Sequence, residues 1–216
     1  MVKRYFYLFV GIFLIFSSTV FASADYASKE KGWHKGAYTL LGVGFLNVDK
    51  DVNVVTGQSF GSDIIPAYGL TTGWNFLDHW ATELQMRYGT EKVNGRREHA
   101  VNINFNGKYS FILDALTKWK IVRFLPYVKI GAGVFGAAVP NLSAGNDRLG
   151  VWGPTFDLGG GMEILIHKFL YVGLDFTQDF AFLQEKFNTI NGVRTKILNG
   201  GFDPQSSLFG YVGVHF

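Results

Sequence analysis

The sequence predicts an all-β fold, an eight-stranded antiparallel up-and-down barrel that spans a membrane. Segments of about ten residues alternate apolar and polar side chains, as strands do when their two faces meet different surroundings. Aromatic residues and glycine are abundant, with 21 Phe, 10 Tyr, 5 Trp and 27 Gly, which suits twisted strands carrying interfacial aromatic girdles. No stretch beyond the N-terminus approaches the ~20 uncharged apolar residues of a spanning helix, so strands must make any span.

The N-terminus has the pattern of a cleaved secretory signal. Lys3 and Arg4 precede an apolar stretch over 5–16, and Ala22-Ser23-Ala24 matches an A-x-A cleavage site. The apolar stretch is too short for the alternative, a membrane-anchoring helix. The predicted divisions of the chain are a signal peptide at 1–24, a periplasmic N-terminal extension at 25–35 and the barrel domain at 36–216.

Charge and cysteine content exclude several other classes of protein. The formal net charge of +3 falls to +1 when the two basic residues of the signal are removed, so we expect no nucleic-acid partner. The chain has no cysteine, which excludes a lipid-anchored lipoprotein and a disulfide framework. No zinc-ligand spacing is visible, and the glycine-rich stretches do not open a helix after a strand. We therefore expect no cofactor and no metal.

The two early strands are predicted at 36–47 and 63–76. The first has Gly42 and Gly44 in a mostly apolar run, and the second contains Pro66. Proline removes a hydrogen bond from a strand ladder unless it lies near a rim or a bulge. We therefore place Pro66 near the outer end of its strand.

The strands at 80–91, 98–111 and 169–182 show the alternation best. In the second of these, Val101 and Ile103 share an apolar face, while amide residues occupy the intervening positions. A strand of a soluble sandwich also alternates, but it has no reason to carry aromatic residues at both ends of its apolar face. Three such segments favour a membrane barrel.

The remaining strands are predicted at 126–139, 154–165 and 207–216. The first two carry glycines on the same face as charged residues, where small residues make room inside a narrow barrel. The last alternates up to the terminal aromatic residue Phe216. Eight strands of this length match transmembrane β-strands.

An even number of strands places both chain ends on the periplasmic side. Long outward loops and short inner turns are typical of outer-membrane barrels. The turn at 112–125 is unusually long and has apolar residues at helical spacing beside basic ones, which fits either a short amphipathic helix at the inner interface or an irregular turn. The predicted outward loops are 48–62, 92–97, 140–153 and 183–206, and the inner turns are 77–79, 112–125 and 166–168.

These features resemble the small eight-stranded outer-membrane barrels of Gram-negative bacteria, the OmpA/OmpX-like superfamily. The resemblance covers nearly everything after residue 35 and rests on the signal, the alternating segments, including Glu83-Leu84-Gln85-Met86-Arg87-Tyr88, and the terminal Phe216. It implies location in the cell outer membrane among lipid and lipopolysaccharide. It also implies that the barrel-assembly machinery recognises Phe216 as the assembly signal. Fold alone does not identify a function.

Charged residues on the inward face predict the contents of the lumen. Eight strands leave an interior just wide enough for side chains to fill, and buried charges must be paired there. We therefore expect a lumen plugged by salt bridges; a narrow channel for small or hydrophobic solutes is the alternative. The predicted network consists of Glu83, Arg87, Lys108, Lys129, Asp157, Glu163, Asp175 and Asp179.

A lipid A-modifying enzyme is the second alternative. Such chemistry needs a histidine with a serine nucleophile or an acid partner near the outer rim. His99 is the only histidine expected there, and Ala100 and Val101 after it depart from the His-x-Ser arrangement of the deacylases. We therefore predict no catalytic residues and interpret His99 as an interfacial residue of the rim.

The outward loops are expected to provide recognition. The predicted loop at 183–206 is the longest and carries Lys186, Arg194 and Lys196, which are candidate contacts to a surface ligand or to lipopolysaccharide headgroups. The sequence therefore predicts a mainly structural or surface-interaction role for the protein.

Overall fold

A computed structural model gives the architecture of the protein. The residues that it describes are 35–48, 64–93, 96–113, 122–140, 148–166, 169–184, 186–190, 193–198 and 201–216. The predicted signal peptide and nearly all of the predicted extension lie outside the described residues, and their assignment stays a prediction. No helix in the described part of the chain is long and apolar enough to cross a membrane.

Eight antiparallel strands form a closed barrel, which confirms the predicted fold class. Around the barrel the order is β1-β10-β7-β6-β5-β4-β3-β2, and β8 and β9 form a separate two-stranded sheet. First and last barrel strands pair directly, so the wall has no open edge. The strands are β1 Gly36–Asn47, β2 Ile64–Asn75, β3 Trp80–Val93, β4 Arg96–Ser110, β5 Val122–Pro140, β6 Arg148–Ile166, β7 Leu170–Leu183, β8 Lys186–Ile190, β9 Val193–Leu198 and β10 Gly201–His215.

The barrel wall separates an apolar outside from a polar inside. On β4, Asn102, Asn104 and Asn106 are buried, whereas Phe105 between them is 61% exposed. Leucine, valine and phenylalanine side chains dominate the outward positions of the other strands. An apolar exterior around a polar interior is the arrangement that a bilayer requires of a barrel.

Several strands extend further than the alternation of residue types predicted. Pairing of β5 with β6 continues from Val122 with Ile166 to Pro140 with Arg148, so the predicted loop at 140–153 was too long. The predicted loop at 92–97 is likewise too long, because β3 and β4 pair as far as Val93 with Arg96. Backbone hydrogen bonds between neighbouring strands can continue beyond the lipid-facing zone that creates the apolar pattern.

The predicted outward loop at 183–206 contains ordered strand structure. Leu183 ends β7, β8 and β9 form a hairpin, and β10 already begins at Gly201. Residues 201–206 of β10 have no continuous apolar face, which is why the prediction started this strand at 207. The predicted loop was therefore too long, since 183 belongs to β7 and 201–206 belong to β10, and the connection that remains contains the hairpin of β8 and β9.

The helix considered for 112–125 is wrong at both of its ends. Val122 to Leu125 belong to β5, and Leu113 forms an isolated antiparallel bridge with Phe124. Pairing with β6 stabilises the extended backbone there, because it satisfies the amide and carbonyl groups that point toward β6. Residues 114–121 lie outside the described part of the chain.

Pro66 lies close to one end of its strand, as predicted. It is the third residue of β2 and pairs with Phe45 of β1. Pairing of β2 with β3 begins only at the next residue, Ala67. Pro66 therefore interrupts no hydrogen bond of the ladder between β2 and β3.

Close contacts behind the inward glycines predict that the barrel interior tolerates no added volume. A methyl group at Gly131 would lie 2.6 Å from the carbonyl oxygen of Phe105 and 2.7 Å from Oδ1 of Asp157, whereas at outward Gly107 its nearest neighbour is 3.9 Å away. We expect Gly131→Ala to destabilise the barrel by about 1–3 kcal/mol through overpacking and Gly107→Ala to have little effect. Urea unfolding in lipid vesicles, followed by tryptophan fluorescence, measures both; equal stability of the two variants would contradict the tight interior.

Candidate functional site

The interior of the barrel contains all eight charged residues that the sequence places there. Each is at most 4% exposed. They come from five strands, β3 to β7, so the closed wall is what brings them together. The set consists of Glu83, Arg87, Lys108, Lys129, Asp157, Glu163, Asp175 and Asp179.

Arg87 of β3 spans the lumen to β7. Its Nη1 lies 2.9 Å from Oδ2 of Asp179, and its Nη2 lies 3.4 Å from Oδ1 of Asp175. The same Nη2 donates to Oγ1 of Thr177 at 2.5 Å and to Oε1 of Gln85 at 2.6 Å. A planar guanidinium with several fixed donors suits this role, because it bonds several acceptors at once.

Lys108 of β4 pairs with two glutamates. Its Nζ lies 2.6 Å from Oε1 of Glu83 and 2.9 Å from Oε1 of Glu163. The ammonium also lies 4.5 Å from the ring centroid of Tyr38 and 5.0 Å from that of Tyr127. Charge pairing and cation–π contact together compensate for the loss of water around this cation.

Lys129 of β5 adds a second cation to the group around Asp175. Its Nζ lies 2.6 Å from Oδ2 of Asp175 and donates to Oε1 of Gln85 at 2.9 Å. The hydroxyl of Tyr127 donates to the same Oδ2 of Asp175 at 2.6 Å. Asp175 therefore contacts both Lys129 and Arg87. Tyr127 links this group to the ion pairs of Lys108, because its hydroxyl bonds Asp175 and its ring lies beneath the Lys108 ammonium, so the contacts form one continuous network across the lumen.

Amide and hydroxyl groups surround the other carboxylates. Asn104 donates to Oδ1 of Asp179 at 2.6 Å and accepts from the hydroxyl of Thr155 at 3.1 Å. With its amide nitrogen turned toward the carboxylate, Asn106 donates to Oδ2 of Asp157 at 2.8 Å. Neutral donors thus complement the cations, which are fewer than the carboxylates.

Neutral members of the network were absent from the predicted set. Gln85, Tyr38, Tyr127, Asn104 and Thr177 are all buried at inward positions and contact the charges directly. The alternation of inward and outward positions in the sequence already indicated these residues. For example, Gln85 lies between Glu83 and Arg87 on the inward face of β3. Searching the inward face for all polar residues, rather than for charges alone, would have found them.

His99 lies on the outward face near one end of β4. Its ring stacks on Tyr88 with centroids 5.9 Å apart, and its Nδ1 lies 2.6 Å from the tyrosine hydroxyl. In the ladder it pairs with Thr90 and Ala138. Ser59, Ser62 and Asp63, which the sequence places in a neighbouring outer region, lie outside the described residues.

The candidate loop contacts belong to the hairpin. Lys186 begins β8, and Arg194 and Lys196 lie two residues apart on β9. In the hairpin register Arg194 pairs with Thr189, and Lys196 pairs with Phe187. Strand register thus fixes the spacing of these backbone positions.

Metal binding finds no support in the described residues. Within those ranges, no group of three or more histidine, aspartate or glutamate residues has an arrangement that could hold a metal ion. The interior carboxylates instead contact lysine, arginine, amide and hydroxyl groups.

Removing the central cation should strongly destabilise the barrel. Arg87→Ala leaves the carboxylates of Asp175 and Asp179 buried with less compensation, and breaking such a buried pair costs about 3–5 kcal/mol. Urea unfolding of the refolded protein in vesicles gives the difference. Lys92→Ala, at an exposed position of the same strand, is the matched control and should change stability by less than ~0.5 kcal/mol. Equal effects of the two substitutions would contradict the network.

His99→Ala should leave the lipid A of the host unchanged. The histidine stacks on Tyr88 and contacts its hydroxyl at an outward position, as an interfacial residue of the rim does. Mass spectrometry of lipid A from cells expressing the wild type or the variant provides the measurement. An acyl modification that is present with the wild type and lost with the variant would contradict the interpretation of His99 as a rim residue.

Comparison with solved structures supports the barrel architecture. Neisserial surface protein A (NspA) aligns with a TM-score of 0.58 and 9% identity over 83% of this chain and 97% of that chain. OprG, an outer membrane protein from Pseudomonas aeruginosa, aligns with a TM-score of 0.51 and 14% identity over 86% and 99%. Ail, the attachment invasion locus protein of Yersinia pestis, in complex with the heparin analogue sucrose octasulfate, aligns with a TM-score of 0.50 and 9% identity over 83% and 97%.

At identities of 9–14%, the similarity to these three solved structures shows a shared fold and nothing more. No curated protein matches the sequence significantly. The profile of the family described as the outer membrane protein beta-barrel domain matches residues 12–203, most of the chain. Together with the closed eight-stranded wall and its apolar exterior, this match shows that the protein belongs to the outer membrane protein beta-barrel domain family.

Proposed function

We propose that the protein is a closed, mainly structural barrel of the outer membrane whose outward segments recognise a surface ligand. The observation that supports a closed, structural barrel is the continuous network of side chains inside the wall. Arg87, Lys108 and Lys129 each contact at least one carboxylate within 3.0 Å, and all three are buried. Side chains that fill an eight-stranded lumen leave little room for solute.

Large side chains support the closed lumen from the β10 side of the wall. Phe209 is 1% exposed, and its ring centroid lies 5.7 Å from Cζ of Arg87. At the end where the termini lie, Tyr38 and Tyr171 approach each other with centroids 5.6 Å apart. A narrow channel would require several of these groups to move together, at the cost of their ion pairs.

Recognition is assigned to the hairpin of β8 and β9. This hairpin pairs only within itself and is not part of the barrel sheet, so its residues are not needed to close the wall. Lys186, Arg194 and Lys196 give it a basic character, and Glu185 is the one acidic residue between 184 and 200. Lysine and arginine bind phosphate groups well, which favours the lipopolysaccharide headgroups as the ligand.

The Ail structure adds a limited argument for an anionic ligand. That protein shares the fold, and it was crystallised with a sulfated heparin analogue. A barrel of this architecture can therefore bind an anionic ligand. Its 9% identity to this chain transfers no residue, so the proposal depends on the basic residues of the present hairpin.

Charge reversal in the hairpin tests the proposed recognition. We expect Arg194→Glu with Lys196→Glu to weaken binding of the detergent-solubilised barrel to lipopolysaccharide at least tenfold, since hydrogen bonds to charged groups contribute about 1.5–3 kcal/mol each. Surface plasmon resonance at low and at physiological salt measures the affinity. Lys35→Glu, an exposed lysine at the end of the barrel where the termini lie, is the control and should bind like the wild type.

Deleting 187–197 separates recognition from folding. The shortened protein should remain a heat-modifiable barrel on gels, because none of the eight barrel strands loses a pairing partner. Its binding to lipopolysaccharide should fall as far as that of the charge-reversed variant. Unchanged binding would contradict the assignment of recognition to the hairpin, and loss of the folded barrel would show that the hairpin is structural instead.

A further inference from the structure

The lipid-facing wall of the barrel is not uniformly convex. A cleft of about 790 Å³ lies against β1, β10 and β7 and reaches β2 and β6 at its sides. Its volume falls within the range of about 300–1,000 Å³ that is usual for small-molecule sites. Apolar side chains dominate its lining, among them Leu41, Val43, Tyr68, Leu174 and Val212.

Inward glycines explain why the wall is depressed at this place. A methyl group at Gly42 would lie 2.7 Å from the ring of Tyr211, and one at Gly69 would lie 3.1 Å from the ring of Phe209. Both rings are buried in the lumen. With no side chain between backbone and ring, β1 and β2 approach the interior closely, and the outer surface sinks correspondingly.

Gly210 provides the floor of the cleft. It lies on β10 between Val43 of β1 and Leu174 of β7 in the ladder. A methyl group there would have its nearest neighbour, Cδ2 of Leu174, at 3.7 Å, so any side chain at this position would project into open space. The flanking side chains stand well out of the wall, since Leu41 is 62% and Val43 is 64% exposed.

On β6, β7 and β10 the cleft lies near the chain ends, and on β1 and β2 it reaches the middle of the strands at Val43 and Tyr68. Its residues Met162 and Ile164 precede the end of β6 at Ile166, and Val172 follows the start of β7 at Leu170. Val212 is likewise near the end of β10 at His215. Because an even strand count places the two ends together on the periplasmic side, the part of the cleft on β6, β7 and β10 faces the inner, phospholipid leaflet of an outer membrane.

We propose that the cleft binds an acyl chain of a phospholipid from this inner leaflet. The site has almost no polar surface, so a polar ligand would lose its hydration without regaining hydrogen bonds. At this depth the surroundings of the barrel are hydrocarbon. The cleft extends across five strands and offers an acyl chain contacts on its floor and at its sides, whereas a convex part of the wall offers contacts on one side only.

Filling the floor of the cleft tests this proposal. The wild type, Gly210→Phe and the control Gly107→Phe are refolded into vesicles of phosphatidylethanolamine with added lipopolysaccharide, extracted in detergent and examined by native mass spectrometry. Gly107 also faces outward, and its nearest neighbour for a methyl group is 3.9 Å away. We expect the wild type and Gly107→Phe to retain phosphatidylethanolamine, and Gly210→Phe to retain at least fivefold less.

Three results would overturn the proposal. They are a wild type without retained phospholipid, equal retention by Gly210→Phe, and retention of lipopolysaccharide in place of phospholipid. A dimer that dissociates in Gly210→Phe would identify a second copy of the chain as the occupant, which also overturns it. If Gly210→Phe does not fold, Gly210→Ala replaces it in the test, because the added methyl group fits without a clash. We expect Gly210→Ala to lower the retention of phosphatidylethanolamine at least twofold.

Discussion

Charge compensation inside a closed wall is the constraint on which the rest of this structure depends. Asp175 contacts both Arg87 and Lys129, and Lys108 holds Glu83 and Glu163. Each of these ions has left water, and the loss is tolerable only while its partners stay in place. Because the partners come from different strands, the ion pairs also specify how those strands face one another across the lumen. Apolar side chains would fill the space, but they would not select one register in this way.

Glycine and aromatic residues solve a complementary problem, the fit between wall and contents. Phe209 and Tyr211 occupy the lumen beside β1 and β2, where Gly42, Gly44 and Gly69 replace side chains that would collide with the rings. Opposite them, Gly131 and Gly159 make room for Asn106, Asp157 and Lys129. The inside of the barrel thus determines the contour of its outside, and the depression over Gly210 is a consequence of how the lumen is packed.

The alternation of apolar and polar residues in the sequence predicted the barrel, the limits of β1 and the inward position of all eight charges, because a strand between lipid and a polar interior must alternate.

The extent of the longer strands was not predictable in this way. Backbone pairing alone sustains β5 and β6 at their outer ends, and residue types there are mixed. Nor could the sequence identify which charges pair. Arg87 and Asp179 meet across the barrel although 92 positions separate them, and only the closure and stagger of the strands bring them together.

Planar-bilayer conductance of the refolded mature protein, recorded beside Arg87→Ala, tests the closed lumen most directly. A lumen filled by the network of Arg87, Lys129 and Asp175 predicts a wild type without discrete, reproducible current steps. Steps in the wild type that change in size or ion preference in Arg87→Ala would contradict this account. They would make the protein a pore and would turn Glu83, Arg87, Asp175 and Asp179 into residues that line a conducting path.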